Sequence, residues 1–244
     1  MGRLASAAEC MAIKAQAAQV AADLSVGQKP TSTGDDGYRR SSCIRMPIRE
    51  KWDAAGVQRC EALLVRALTL LHALPSGGSL LTALFGGIPD GIVGNRNLAL
   101  SEGEPAVNLY AEGGEFKAHE DKHSLTVLVT LTDSIDFVGG GTAVWSVQDR
   151  GPNSSLRDVN PPTFVLRPPA GSVLIFCGTV THGALPVTSG ERCVLVASFS
   201  PKSRYSSLPR TFALCGPVAA VDWCDAADFL YASTSESESE EETE

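Results

Sequence analysis

The sequence predicts a mainly β fold, a sandwich or jelly roll, with helices placed before it. Two observations carry this. Between residues 106 and 200, six short runs (VNLY, SLTVLVTL, TAVWSV, TFVL, SVLIF and CVLVASF) are rich in β-branched and aromatic residues and separated by Gly- and Pro-containing turns. Many short strands punctuated by turns point to antiparallel sheets rather than a parallel α/β sheet. Ahead of them, apolar residues recur at helical spacing, and no repeat of 20 to 50 residues suggests a solenoid.

Each element follows from local pattern. Leu4, Met11, Ile13, Val20 and Leu24, set among alanines, predict an amphipathic helix within residues 1–26. Residues 27–37 (GQKPTSTGDDG) are turn chemistry, and 38–48 are β-compatible up to Met46-Pro47. Within 49–72, Val57, Cys60, Leu64, Leu68 and Leu71 fall at three- and four-residue intervals, which predicts a helix covering a sheet and ending at Pro75-Ser76-Gly77-Gly78. A short helical turn at 79–85 and a loop at 86–97 complete the front half. Residues 148–162 read as a loop, and Gly139-Gly140-Gly141 as a turn rather than a phosphate cradle, since no Lys-Ser/Thr follows. The chain is thus divided into an N-terminal helix and linker (1–37), a strand and supporting helices (38–105), a core (106–200), a C-terminal extension (201–232) and an acidic tail without apolar residues (233–244), expected to be disordered.

Composition narrows the function. A chain of 244 residues with 43% hydrophobic and 20% charged residues can bury a substantial core. Six of the net −8 charges come from Glu236, Glu238, Glu240, Glu241, Glu242 and Glu244, so the remainder is close to neutral, and no broad basic face for nucleic acid is expected. No apolar run approaches the roughly 20 residues that span a bilayer. Met1-Gly2 with Ser6 formally fits a myristoylation pattern, but a second anchoring signal is absent, and residues 1–26 lack the apolar centre of a secretory signal. Seven scattered cysteines with no C-x-x-C pair read as reduced thiols in an intracellular, cytoplasmic or nuclear protein.

Two of the four histidines lie in His119-Glu120-Asp121-Lys122-His123. On a helix this is H-E-x-x-H, with His119 and His123 on one zinc ion and Glu120 as general base. On a strand it is H-x-D, with His119 and Asp121 projecting from one face. Gly113-Gly114 upstream and the β-branched run immediately after His123 leave a helix no room, and the extended peptidase motif would need Gly at Thr126 and His at Val129. For the strand reading, His182 is the available third ligand in the β-rich region, and two His with one carboxylate form the facial triad of Fe(II) oxygenases. His123 is expected at a strand edge beside the site, His72 at a helix end or in the core, Trp145 and Phe176 in the core or site wall, and Cys177 and Cys193 as small buried hydrophobes flanking the site.

With these residues in place, residues 107–200 resemble the Fe(II)- and 2-oxoglutarate-dependent dioxygenases of the prolyl 4-hydroxylase and lysyl hydroxylase type. Their pattern Y-x-x-G-G-x-[YF]-x-x-H-x-D is matched by Tyr110, Gly113, Gly114, Phe116, His119 and Asp121. LTDSIDFVGGGTAVW and HGALPVTSGER resemble two further motifs, in the same order. The resemblance implies a double-stranded β-helix, a cupin-like jelly roll, with the N-terminal helices along its major sheet. It implies Fe(II) held by His119, Asp121 and His182, and 2-oxoglutarate held through its distal carboxylate by Arg192, with Tyr110 adding a hydroxyl. It further implies use of O2, ascorbate as a reductant, and hydroxylation of an unactivated C–H with release of succinate and CO2. The implied primary substrate is a peptidyl proline or lysine in a protein, with a small molecule as the other class. Thr130 in TLTD stands where many prolyl hydroxylases have Tyr, and Arg192 where collagen-type enzymes have Lys. A zinc hydrolase and a non-catalytic jelly-roll binding module are the alternatives.

Overall fold

A computed structural model describes residues 4–25, 43–146, 161–202 and 230–231. In chain order the elements are α1 (Ala7–Ser25), β1 (Cys43–Pro47), α2 (Ile48–Lys51), α3 (Ala54–Ala73), α4 (Gly77–Phe85), β2 (Leu98–Leu100), β3 (Ala106–Tyr110), β4 (Phe116–His119), β5 (Leu125–Thr130), β6 (Phe137–Gly139), β7 (Thr142–Trp145), β8 (Phe164–Leu166), β9 (Val173–Phe176), β10 (Thr181–Ala184), β11 (Val187–Gly190), β12 (Arg192–Pro201) and β13 (Leu230–Tyr231). All six sequence-predicted runs are strands: β3, β5, β7, β8, β9 and β12.

The major sheet has the order β1-β3-β12-β5-β9-β13, with β2 also on β12, and the minor sheet has the order β4-β10-β7-β8. Consecutive core strands therefore cross between sheets (β3 major, β4 minor, β5 major), and every pairing is antiparallel. This is the jelly-roll winding of a double-stranded β-helix. A separate pair, β6 with β11, holds the Gly139-Gly140-Gly141 turn, where all three φ angles are positive, a conformation that glycine adopts without a Cβ penalty.

Period-two alternation assigns each residue of the major sheet to one of two cores. Val127 and Val129 of β5, Val173 and Ile175 of β9, and Leu195, Ala197 and Phe199 of β12 pack with the helices. The intervening Leu128, Leu174, Phe176 and Val194 face the space between the sheets. From the helix side, α3 contributes Cys60, Leu63, Leu64, Ala67, Leu68 and Leu71, all at most 1% exposed, so the helices and the major sheet share one hydrophobic core.

The front half differs from the sequence expectation in three places. The helix expected over 49–72 is broken: Trp52 is extended (φ −110°, ψ 148°), and Asp53 caps α3 by accepting the Gly56 N–H at 2.7 Å. The short helical turn expected at 79–85 begins earlier, at Gly77. In α1 the buried stripe is Cys10, Ile13, Ala17 and Ala21, while Met11 is 62% exposed. Small residues let α1 approach closely, and its start is fixed by a capping box in which Ser6 N–H donates to Glu9 Oε2 (2.8 Å) and Glu9 N–H to Ser6 Oγ (3.2 Å). Arg66 of α3 reaches Glu9 at 2.5 Å, tying the two helices together.

Most of the loop expected at 148–162, residues 38–42, nearly all of the C-terminal extension and the acidic tail lie outside the described residues. No helix of the described residues is long and apolar enough to cross a membrane. The corrected face of α1 makes a simple forecast: Ile13→Ala lowers the free energy of unfolding by about 2–5 kcal/mol, and Met11→Ala by less than about 0.5 kcal/mol. Denaturant unfolding of the two variants checks it.

Candidate metal centre

The site begins with strand pairing. Strands β4 and β10 are antiparallel with His119 directly opposite His182, which brings the imidazole centroids to 4.3 Å. Phe116 lies against His119 at 4.4 Å and Phe176 against His182 at 4.7 Å, so each ring is walled on one side by an aromatic. Strand β4 ends at His119 and the chain turns at Lys122 (φ 59°) before β5. The HEDKH segment is therefore a strand end and a turn, not a helix. Asp121, two residues past His119, projects to the same side: its Oδ1 is 3.4 Å from His119 Nε2 and its Oδ2 is 3.5 Å from His182 Nε2. One donor atom from each of the three lies within 4.8 Å of the others.

The tautomers follow from the backbone. His119 Nδ1 is 2.7 Å from the Lys117 carbonyl and His182 Nδ1 is 3.0 Å from that of Val180. A carbonyl only accepts, so both Nδ1 atoms carry protons, and in the neutral form of each imidazole the Nε2 lone pair is left facing Asp121. Lone pairs and a carboxylate converging on one point attract a cation, either a proton on one Nε2 or a metal ion, and the carbonyl on each Nδ1 is the outer hydrogen bond that a metal-ligating histidine makes. Burial, reinforced by His119, outweighs the attraction of Asp121 and pushes His182 down to about 4. Burial alone would raise Asp121; the two histidines and the Thr126 hydroxyl hold it well below the usual carboxylate range instead.

The turn that carries Asp121 is clamped from the other side. Lys122 N–H donates to the Gly178 carbonyl at 3.0 Å, and a Cβ on Gly178 would stand 2.3 Å from the His123 carbonyl oxygen, so only glycine allows this approach. His123, expected at a strand edge, is instead buried, with Nδ1 3.3 Å from Ser200 Oγ; it is not part of the His119, Asp121 and His182 cluster. Glu120 accepts from Thr181 Oγ1 at 3.4 Å. His72 is exposed near the end of α3, and Trp145 packs with Ala118 and Ala143 in a separate cluster rather than in the site wall. Cys193 faces the helices, not the site, and burial pushes its thiol up to about 12; none of the five cysteines among the described residues forms a disulfide with another.

Deeper between the sheets, Arg192 and Tyr110 are paired across β12 and β3. Arg192 is 3% exposed, donates from Nη2 to Thr142 Oγ1 at 2.8 Å, and holds its guanidinium carbon 5.4 Å from the Tyr110 ring centroid. Burial lowers its pKa, yet a guanidinium stays charged. Among the described residues no carboxylate forms an ion pair with it. Burial raises the Tyr110 pKa, so its phenol keeps its proton. Two further groups open onto this wall: Asn108, which sequence reasoning did not assign and whose Nδ2 donates to Tyr110 Oη at 3.3 Å while its Oδ1 is unpartnered, and Thr130, which stands where many prolyl hydroxylases have Tyr and whose Oγ1 is unpartnered. Both lie at period-two positions on the inner face, Asn108 in step with Tyr110 and Thr130 with Leu128, and a polar residue inside an apolar strand was the available signal. Arg45 of β1 and Glu104 form a buried ion pair at 2.5 Å.

By sequence the chain matches no family model and no curated protein. By structure it is similar to a prolyl-4-hydroxylase from Pseudomonas putida, with a TM-score of 0.50 and 16% identity over 83% of this chain and 91% of that one. The chain has the fold of the 2-oxoglutarate-dependent Fe(II) oxygenases. It is similar also to HygX from Streptomyces hygroscopicus, in a structure with nickel, 2-oxoglutarate and hygromycin B bound, with a TM-score of 0.50 and 13% identity over 83% of this chain and 82% of that one.

The low pKa of His182 has a consequence for the metal-free protein. Its folded value near 4 lies below the ordinary 6.5, so the unfolded chain takes up the proton first as pH falls. Stability contributed by neutral His182 is complete above about pH 6.5 and is lost as pH falls from there to about 4, by about 3 kcal/mol. Unfolding free energies of the chelator-treated protein across this window check it: the His182→Gln variant should lose this component of the slope.

Proposed function

We propose that the protein is an Fe(II)- and 2-oxoglutarate-dependent dioxygenase that hydroxylates an unactivated C–H, with a peptidyl proline as the first substrate class and a peptidyl lysine as the second. The observation that carries this reading is the pairing of two features inside one jelly roll: a two-His, one-carboxylate cluster, and a buried guanidinium without a carboxylate partner among the described residues.

The donor set fits a borderline divalent cation such as Fe(II) that keeps open positions. His119 and His182 would offer Nε2 and Asp121 a carboxylate oxygen, all from one side. Arg192 fits the distal carboxylate of 2-oxoglutarate through its planar fork, with the Tyr110 hydroxyl as a second donor. The unpartnered Asn108 Oδ1 and Thr130 Oγ1 also fit a polar occupant, because a buried polar atom left unsatisfied costs about 1–3 kcal/mol. Bound Fe(II), with 2-oxoglutarate and O2, would supply the oxidative decarboxylation to succinate and CO2 and the oxidation of the substrate C–H; ascorbate would serve as an accessory reductant. The chain's own part is to orient and exclude. The Lys117 and Val180 carbonyls hold the two imidazoles in the ligating tautomer, and Leu128, Leu174, Phe176 and Val194 keep the interior poor in water, which strengthens the Arg192 interaction.

The peptidyl substrate is supported by the fold shared with a prolyl-4-hydroxylase. The likeness to HygX with hygromycin B bound, at the same TM-score, favours a small molecule as the alternative to a peptidyl substrate. Mass spectrometry of candidate peptides for the gain of one oxygen atom separates the two.

Arg192 gives the sharpest test, since neither a zinc hydrolase nor a bare binding module needs a guanidinium at that position. Removing one member of a desolvated charge pair costs about 2–5 kcal/mol, which is roughly a 30- to several-thousand-fold rise in the 2-oxoglutarate concentration for half-maximal turnover. Arg192→Met should show that rise while keeping its metal, and Arg192→Lys should keep part of the affinity. Unchanged 2-oxoglutarate dependence in Arg192→Met refutes the assignment.

A further inference from the structure

Asp121 has a partner that the metal reading does not itself require. Thr126 of β5 is completely buried and places Oγ1 2.5 Å from Asp121 Oδ2. A hydroxyl has one proton, and at this distance from a carboxylate it is donated there in a charge-assisted bond. The 3.2 Å contact between Thr126 Oγ1 and Ser198 Oγ is then donated by Ser198. Ser198 is held directly opposite Thr126 by the β5–β12 register, and its backbone N–H is bound by Glu104, whose other oxygen is paired with Arg45. A row of hydrogen bonds thus runs from the buried ion pair to Oδ2 of Asp121, which also lies 3.5 Å from His182 Nε2, while Oδ1 carries no such donor among the described residues and lies 3.4 Å from His119 Nε2.

We propose that Thr126 is a positioning residue: its hydrogen bond to Oδ2 fixes the rotation of the Asp121 carboxylate and biases it to bind a cation through Oδ1 alone, although Oδ2 also stands 3.5 Å from His182 Nε2. This rests on the reading of His119, Asp121 and His182 as a metal site. A carboxylate can bind a cation with one oxygen or with both. Were both oxygens of Asp121 free, the carboxylate could take a second coordination position, one of those that the cosubstrate needs open. Ser198 is part of the device because it points the Thr126 proton toward Asp121.

The test uses the full chain loaded with Co(II), whose visible absorption reports coordination directly and needs no turnover. Thr126→Val, which keeps the volume and removes the hydroxyl, should lower Co(II) affinity by about 10- to 100-fold, alter the Co(II) spectrum, and weaken 2-oxoglutarate binding to the loaded protein. Thr126→Ser should restore the wild-type spectrum. Circular dichroism establishes that the variants are folded, and Thr126→Ala carries the same comparison if the valine variant is not. A folded Thr126→Val or Thr126→Ala variant with wild-type Co(II) affinity and spectrum overturns the role of Thr126 and leaves the metal site standing. A wild-type chain that binds no Co(II) overturns the metal reading, and this proposal with it.

Discussion

The register of β12 against β3 and β5 is the constraint on which both halves of the molecule depend. Side chains alternate along a strand, so one register decides at once what faces the helices and what faces the interior. With Arg192 opposite Tyr110 and Ser198 opposite Thr126, the residues Cys193, Leu195, Ala197 and Phe199 close the helix-side core, and the polar ends of the strand point between the sheets. A slip of one residue would bury the Arg192 guanidinium among the leucines of α3 and turn apolar residues into the pocket. The apolar residues of β12 thus do two jobs: they hold the helices and they keep Arg192 aimed inward.

That interior is polar in a specific way. A fully buried arginine, a carboxylate facing two histidine lone pairs, and two unpartnered side-chain oxygens are each costly in a closed apolar space. The protein offsets part of the cost internally, through Thr142 on Arg192, Thr126 on Asp121 and the carbonyls on both imidazoles. The uncompensated remainder is complementary to a cation at one end and an anion at the other. Such a combination is hard to explain as scaffolding, because apolar residues of similar volume would give a more stable core.

The sequence makes the β-rich half legible because its strands are strong apolar runs with turns between them, and H-x-D is readable because two-residue spacing means one face of a strand. What decides the site is less visible. Strand β10 is Thr-His-Gly-Ala, with no β-forming pattern; it is a strand only because β4 and β7 pair with it, yet that pairing sets His182 against His119. In α1 Ile13 is buried, and Val20 and, just ahead of the helix, Leu4 pack against the core, as their spacing implies, but Met11 faces solvent because Cys10, Ala17 and Ala21, residues the periodicity reading did not weight, complete the buried stripe. The break at Trp52-Asp53 was missed although Asp is a good N-cap residue, since the apolar spacing runs on across it. Thr126 and Asn108 acquire meaning only from what they face, and a threonine in an apolar strand looks like β propensity until its hydroxyl is seen beside a carboxylate.

The central claim is that this interior holds iron and consumes 2-oxoglutarate. The most direct measurement is succinate formed by the purified full chain supplied with Fe(II), 2-oxoglutarate and O2, with the bound metal quantified in the same sample. The account predicts about one Fe(II) per chain, succinate formation that stops when iron is withheld, and none from Asp121→Ala. Stoichiometric zinc with no succinate under any of these conditions would contradict it.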